Sequence, residues 1–338
     1  MARPTGLTLG KLPPEILKRY LLGMVGAPSK DLLVAPSIGV DFGVVRVGPG
    51  SSLSLIVSSD PVTGVEERIG GYAVNVSAND VATSGNRPRF LQSVILLPED
   101  ADEKMVARIS TEMSRTAKGL GITIVGGHTE LTPGLKRPIV MTTVFAFAES
   151  YVTAADAREG DSVMLTKSAA IEGTAILASE APGLDPALVR RARGYSRKLS
   201  VVEEAVAAYG TGRVHAMHDC TEGGVLGAAY EMSYASGLGF ELIEEKVPVS
   251  RETRGVCSAL SLDPLRLISS GALLLSVEEG AEEEVSEVIR RKAGTRTTVV
   301  GRFRGRGGKR TLVLRNGTRE RVGEPPADEL WRVRRKMR

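Results

Sequence analysis

The chain has 338 residues, 42% hydrophobic and 25% charged, a balance that excludes a disordered or fibrous protein and leaves room for two domains of about 150 residues each. No apolar run approaches the roughly 20 residues of a membrane helix and no secretory apolar core opens the chain, so a cytoplasmic location is expected. The net charge of +4 is uneven: residues 301–338 hold 13 Lys or Arg against 4 Asp or Glu, which leaves the body of the chain acidic at −5.

In chain order the elements alternate. Pro13–Val25 (PPEILKRYLLGMV) opens on prolines, whose fixed φ suits the first turn of a helix. Leu53–Ser59 is predicted as a strand that ends at Asp60. A small-residue helix is expected over Ile69–Gly85, a strand at RFLQSVILLP and a helix over Asp102–Gly119. The stretch GITIVGGHTELTPG follows, then the β-branched run Pro138–Ala148. A polar turn, AREGD, precedes a new strand at SVMLTK and places a boundary near residue 152. Beyond it the pattern predicts helices at Gly173–Ser179, Pro186–Tyr209 and Gly223–Ser236, a strand at Gly271–Val277, a helix at Ala281–Lys292 and strands around Val299 and Leu312. The expected fold is α/β of the α+β type, in two mixed α/β domains.

Cys220 and Cys257 are too far apart in sequence for a Cys-x-x-Cys site and are expected to be free thiols. Arg outnumbers Lys 32 to 12 and the chain has one Gln and four Asn, a trend of heat-adapted proteins. The basic stretches RFRGRGGKR and WRVRRKMR offer charge to nucleic acid, but with Phe303 and Trp331 alone as stacking groups a solvated hairpin and tail is the expectation.

Acidic residues recur at predicted strand ends or in glycine-rich turns: Asp41 in GVDFG, Asp60 in VSSDP, Asp80 in SANDVA and Asp219 in HDCTEGG. Each alone is an ordinary turn or cap residue; as a set they can hold a hard cation with phosphate oxygens. Neither a Walker loop nor a G-x-G-x-x-G follows a strand, so a nucleotide site must be of another type. His215 and His218 read as flankers of Asp219, because a zinc site would need two further ligands.

The blocks SSDPVTG, NDVATSGNRPRFL, GITIVGGHTELTPG, IEGTAIL, MHDCTEGGVLGAAYEM and TRGVCSALSLDPLRLISSGALLLSV resemble, in order and spacing, the superfamily of aminoimidazole ribonucleotide synthetase, selenophosphate synthetase, thiamine-monophosphate kinase and the hydrogenase maturation factor HypE, most of all HypE. The resemblance spans nearly all of residues 36–305. It implies a dimer built through N-terminal sheets, with ATP and Mg²⁺ in the cleft between domains and subunits. It divides the chain into an N-terminal helical segment (1–35), an ATP-binding and dimerisation domain (36–152), a C-terminal α/β domain (153–323) and a basic tail (324–338).

Carried over residue by residue, it puts Asp41, Asp60, Asp80 and Asp219 on the metal. It puts Asn79, Gly126, Gly127, Thr129, Thr221, Gly223 and Gly224 at the nucleotide, the last two as the start of a helix whose amides favour anions. His128 and Glu130 are expected at the chemistry, with His128 equally open to a packed-turn role. The chain departs from HypE in three places: the family's terminal P-R-I-C is replaced by ELWRVRRKMR, its G-D-T-K reads GHTE, and its N-E-G reads SSG, with Ser270 where a glutamate stands.

The expected activity is ATP- and Mg²⁺-dependent activation of an amide, carbonyl or other small acceptor by phosphoryl transfer, in a homodimer that has a possible maturation-protein partner. The alternatives are a HypE-like maturation factor, a nucleotide-binding paralogue without turnover, and an RNA-binding accessory protein that uses the tail.

Overall fold

In the computed structural model the described residues are 9–24 and 26–337, and they form two sheets. The end of the predicted first helix at Val25, the first eight residues of the N-terminal segment and Arg338 of the tail lie outside them. The first sheet has six strands in the order β1-β2-β3-β6-β4-β5: β1 Leu32–Val34, β2 Gly43–Arg46, β3 Ser54–Val62, β4 Phe90–Leu97, β5 Thr123–Leu131 and β6 Ile139–Ala148. Helix α1 (Pro14–Tyr20) precedes it, and α2 (Ile69–Ala82) and α3 (Glu103–Leu120) belong to the same half.

Local chemistry sets these elements. Helix α3 starts where the Asp102 carboxylate accepts the Met105 N–H at 2.8 Å and stops at Gly121 in the left-handed region. Its buried residues Ile109, Met113 and Ala117 recur every fourth position, which gives one apolar stripe. Each such side chain contributes about 1.5–3 kcal/mol on burial, alanine less. The stripe meets α2 at close range, for a Cβ on Gly70 would lie 2.4 Å from the Ile109 carbonyl oxygen. Strand β6 alternates buried and half-buried along its length, as a sheet covered by helices on one face does.

The second sheet has seven strands in the order β13-β12-β9-β11-β7-β10-β8: β7 Ser162–Thr166, β8 Val214–Asp219, β9 Leu238–Ile243, β10 Leu273–Val277, β11 Thr297–Arg306, β12 Arg310–Val313 and β13 Arg319–Arg321. Its helices are α4 Ile171–Glu180, α5 Pro186–Arg193, α6 Val202–Tyr209, α7 Gly224–Ser236, α8 Arg251–Leu260, α9 Glu282–Ala293 and α10 Glu329–Met337. Strands β7 and β10 are buried at all five positions.

Three expectations are corrected. Asp60 is inside β3, not at its end, because the strand continues through Pro61 to Val62 beside β6. The helix expected over 186–209 is two helices, interrupted by a tight turn at Gly194–Arg197. The tail is not a solvated segment: Leu330 and Val333 of α10 are buried, and Arg334 donates to Glu180 at 2.7 Å and to the Gly64 carbonyl, joining the two halves. No described helix is long and apolar enough to cross a membrane.

Candidate functional site

The junction of the two halves is built around Asp219, the last residue of β8. The loop before β2 reaches it because Gly39, at φ 79°, packs directly on α7: a Cβ there would be 2.3 Å from the Glu231 carbonyl oxygen. That contact carries Asp41 to the end of β8. One ligand atom from each of Asp41, His218 and Asp219 falls within 4.8 Å of the other two. Asp80, buried on α2, lies 2.8 Å from the Ser58 hydroxyl, which is also 2.9 Å from the Asp41 carbonyl oxygen. Asp60 lies close enough to Asp80 and Asp219 to push both carboxyls up.

So many carboxylates in one dry place resist ionisation. Burial, then Asp60 and Asp219, push Asp80 well up; burial, then Asp41, does the same to Asp219; burial raises Asp41 to about 6. Burial alone would lower His218, but Asp41, Glu231 and Asp219 outweigh it and raise the imidazole to about 9. Burial would raise Glu231, yet Lys11 and His218 bring it down to about 2. Both carboxylate oxygens of Asp219 and Nε2 of His218 are buried without a hydrogen-bond partner among the described residues. Unpartnered buried carboxylate oxygens are costly unless a cation meets them. The donor set therefore fits a divalent metal.

The structure places the sequence-derived residues in different settings. Asp41, Asp60, Asp80 and Asp219 lie near one another, but the tight cluster is Asp41 and Asp219 with His218. Thr221 lies just beyond, with Lys11 Nζ 3.4 Å from its hydroxyl. Asn79 does not face the cleft: its Nδ2 donates to the Leu199 carbonyl at 2.8 Å and its Oδ1 accepts from Val201 N–H at 2.9 Å. With both ends engaged, it serves as a latch between α2 and the segment ahead of α6.

Gly223 and Gly224 do open α7, both in the left-handed region, but their amides already have acceptors. Gly223 N–H donates to Asp328 Oδ2 at 2.7 Å and Gly224 N–H to the Thr221 carbonyl at 3.0 Å. An incoming phosphate would have to displace Asp328.

Gly126, Gly127, His128, Thr129 and Glu130 belong to the edge strand β5, every residue of which is exposed. His128 and Glu130 pair with each other at 3.1 Å. Strands β6 and β4 separate them from β3 and Asp60, a span of roughly 14 Å at the usual strand spacing. Within one chain they do not reach the acidic wall.

Lys11, His218, Glu231, Asp328 and Glu172 were missed as members of this site. Lys11 Nζ lies 3.0 Å from Glu231, which in turn is 3.1 Å from His218 Nε2. Glu231 had a visible signal, since it follows Gly224 and Gly227 by seven and four positions on a small-residue face of α7. Glu172, buried on α4, faces Ser270 without a well-formed hydrogen bond; Glu172 Oε2 and Ser270 Oγ are both unpartnered, and burial raises the acid to about 7. A carboxyl thus stands opposite the serine that replaces the expected glutamate.

Comparison with known proteins agrees with this architecture. The family described as AIR synthase related protein matches through its N-terminal domain at residues 39–148 and its C-terminal domain at residues 158–313. The chain is 30% identical over 296 residues to carbamoyl dehydratase HypE of Escherichia coli (strain K12), which covers 85% of this chain and 86% of that one. A solved hydrogenase maturation protein HypE in complex with ATP superposes with a TM-score of 0.72 at 22% identity, over 96% of this chain and 98% of that one. HypE in a HypE–HypF complex superposes with a TM-score of 0.70 at 22% identity, over 80% and 90%.

Proposed function

The chain belongs to the AIR synthase-related family, and from that premise we propose that it is a HypE-like, ATP- and Mg²⁺-dependent enzyme that activates an amide, carbonyl or other small acceptor by phosphoryl transfer. The observation that carries the reading is Asp219: two buried, unpartnered carboxylate oxygens facing Asp41, with Asp80 and Asp60 beside them. Mg²⁺ bound there would screen phosphate charge and align the transferring group. Asp60, Asp80 and Asp219 would hold it, and Thr221 with Lys11 would meet the phosphates. The ATP complex of a HypE of the same fold supports a nucleotide in this cleft.

Glu130 and His128 enter the chemistry in this reading only from a second copy. Strand β5, exposed throughout and bearing Ile124, Val125 and Leu131 in the open, is the surface through which a homodimer would form. The partner's strand would then carry a carboxylate and an imidazole to the acceptor, where they can move a proton. The HypE–HypF complex supports a maturation-protein partner as part of the same reading. Division of the chain near residue 152 belongs to it as well.

A reading without turnover draws on Asp328, whose carboxylate holds the Gly223 amide that a phosphate would use. Thermal unfolding with and without Mg-ATP tests the main reading. At ligand 100-fold above its dissociation constant the wild type should gain about 2.7 kcal/mol, and Asp219→Asn and Asp80→Asn should lose that gain. Equal stabilisation of all three proteins removes the site; stabilisation without ATP consumption across an acceptor screen favours the paralogue.

A further inference from the structure

His218 has no task in the reaction proposed above, yet it is held with unusual care. Its Nδ1–H donates to the Asp219 carbonyl oxygen at 2.7 Å, which fixes the ring plane and aims Nε2 at the acidic wall, where a cation would displace the proton that the surrounding carboxylates otherwise hold on the ring. A backbone carbonyl on the far nitrogen is the arrangement that orients metal-bound imidazoles. Nε2 lies 3.3 Å from Asp41 Oδ1 and 3.1 Å from Glu231 Oε2, but neither contact has the direction of a hydrogen bond, and the atom is buried without a partner. Asp219, the next residue, leaves both carboxylate oxygens in the same state.

We infer that Asp41, His218 and Asp219 form a divalent-cation subsite with an imidazole ligand, which takes a metal of the Mn²⁺, Co²⁺ or Zn²⁺ class in preference to Mg²⁺. Two ligands on one such ion, at bonds of about 2.1 Å, stand at most about 4.2 Å apart. The three donor atoms already lie within 4.8 Å of one another, so a small contraction closes the shell. Imidazole nitrogen suits Zn²⁺ and Co²⁺, and Mn²⁺, though mainly an oxygen binder, accepts one imidazole among carboxylates, whereas Mg²⁺ prefers oxygen and keeps its waters. The charge balance agrees. Lys11 neutralises Glu231 at 3.0 Å, so Asp41 and Asp219 supply the two negative charges that a divalent ion balances. Asp60 and Asp80, with the second carboxylate oxygen of Asp219, remain for the ion that accompanies nucleotide. The inference rests on the cation-binding reading of the site but not on ATP.

The test uses metal-free full-length protein titrated with Mn²⁺ and with Mg²⁺, followed by pulsed electron paramagnetic resonance of the Mn²⁺ form to detect coupling to a ¹⁴N nucleus. Nitrogen coupling is expected in the wild type, with Mn²⁺ bound at least about tenfold more tightly than Mg²⁺. In His218→Gln the coupling should vanish and Mn²⁺ affinity should fall at least about tenfold, while Mg²⁺ affinity stays within about twofold. Bound Mn²⁺ without nitrogen coupling in the wild type overturns the subsite, and this result needs no folded variant. Equal losses of Mn²⁺ and Mg²⁺ affinity in His218→Gln also overturn it, since the imidazole would then act as a structural counter-ion. Mg-ATP stabilisation with no nitrogen coupling leaves the nucleotide reading standing and removes this one. Nitrogen coupling without any ATP stabilisation does the reverse.

Discussion

The two halves of the molecule are written in the same alternation of strand and helix but finish it differently. In the C-terminal half β7 and β10 are buried at every position, closed in by the half's own helices. In the N-terminal half β5 is exposed at every position, and Phe147 of β6 and Val45 of β2 are in the open as well. One half completes its core alone. The other leaves Ile124, Val125, Leu131 and Phe147 exposed, and the GGHTE motif lies on the same strand β5, so under the proposed function the contrast ties assembly to chemistry.

The contrast can be broken most forcefully by truncation. Leu274→Ala in β10 should cost about 2–5 kcal/mol in denaturant unfolding, because the site is fully enclosed. Val125→Ala in β5 should change the stability of the isolated subunit by less than about 0.5 kcal/mol. Similar costs at the two positions would erase the distinction.

The dryness of the closed half also predicts a pH dependence. Glu172 keeps its proton up to about pH 7 in the folded chain but only to its ordinary value of 4.5 when unfolded, so folding takes up a proton between them. Its contribution is fully present below pH 4.5 and is lost as pH rises through 7. The loss is on the order of 3 kcal/mol at 1.36 kcal/mol per pH unit. Glu172→Gln should flatten that part of the stability curve; an unchanged slope would show that the carboxyl is hydrated.

Between the halves, Asn79→Ala leaves the Leu199 carbonyl and the Val201 amide unpaired in a buried place. The expected cost is about 2 kcal/mol, with faster hydrogen exchange at Val201. Protection at Val201 equal to the wild type would mean that the latch is dispensable.

The smallest effect on subunit stability should come from Val125→Asp, yet it should halve the mass seen by light scattering. A wild type that is already monomeric at micromolar concentration would remove the proposed use of β5.

The alternation, and helices such as α3, could be read from sequence because their signals are local. Asp102, the four-residue stripe and Gly121 all sit within the element that they define. The break at Gly194 was overlooked, although Gly194 and Ser196 interrupt the helical pattern and the S-x-x-E signal at Ser200–Glu203 starts a second helix just ahead of Val202. At the site, Asp41, Asp80 and Asp219 stood out by residue type and setting. Lys11, Glu231 and Asp328 did not, because each arrives through contacts more than 90 residues away in sequence or along a helix face whose partner is unknown until the halves meet. The engagement of Asn79 was hidden for the same reason: one helical step from Asp80 turns its amide toward Leu199 and Val201.

That one step has a mechanical meaning. Asn79 is bolted to the far domain at both ends of its amide, and Asp80 is the next residue along the same rigid helix. The backbones that carry Asp80 and Asp219 are thus held to each other before any ligand arrives, as the jaws of a caliper are locked by a screw. Under the proposed function an ion such as Ca²⁺, which needs oxygens at about 2.3–2.6 Å where Mg²⁺ takes about 2.0–2.1 Å, would have to be met by carboxylate rotation alone, with the backbones held by the Leu199 and Val201 bonds.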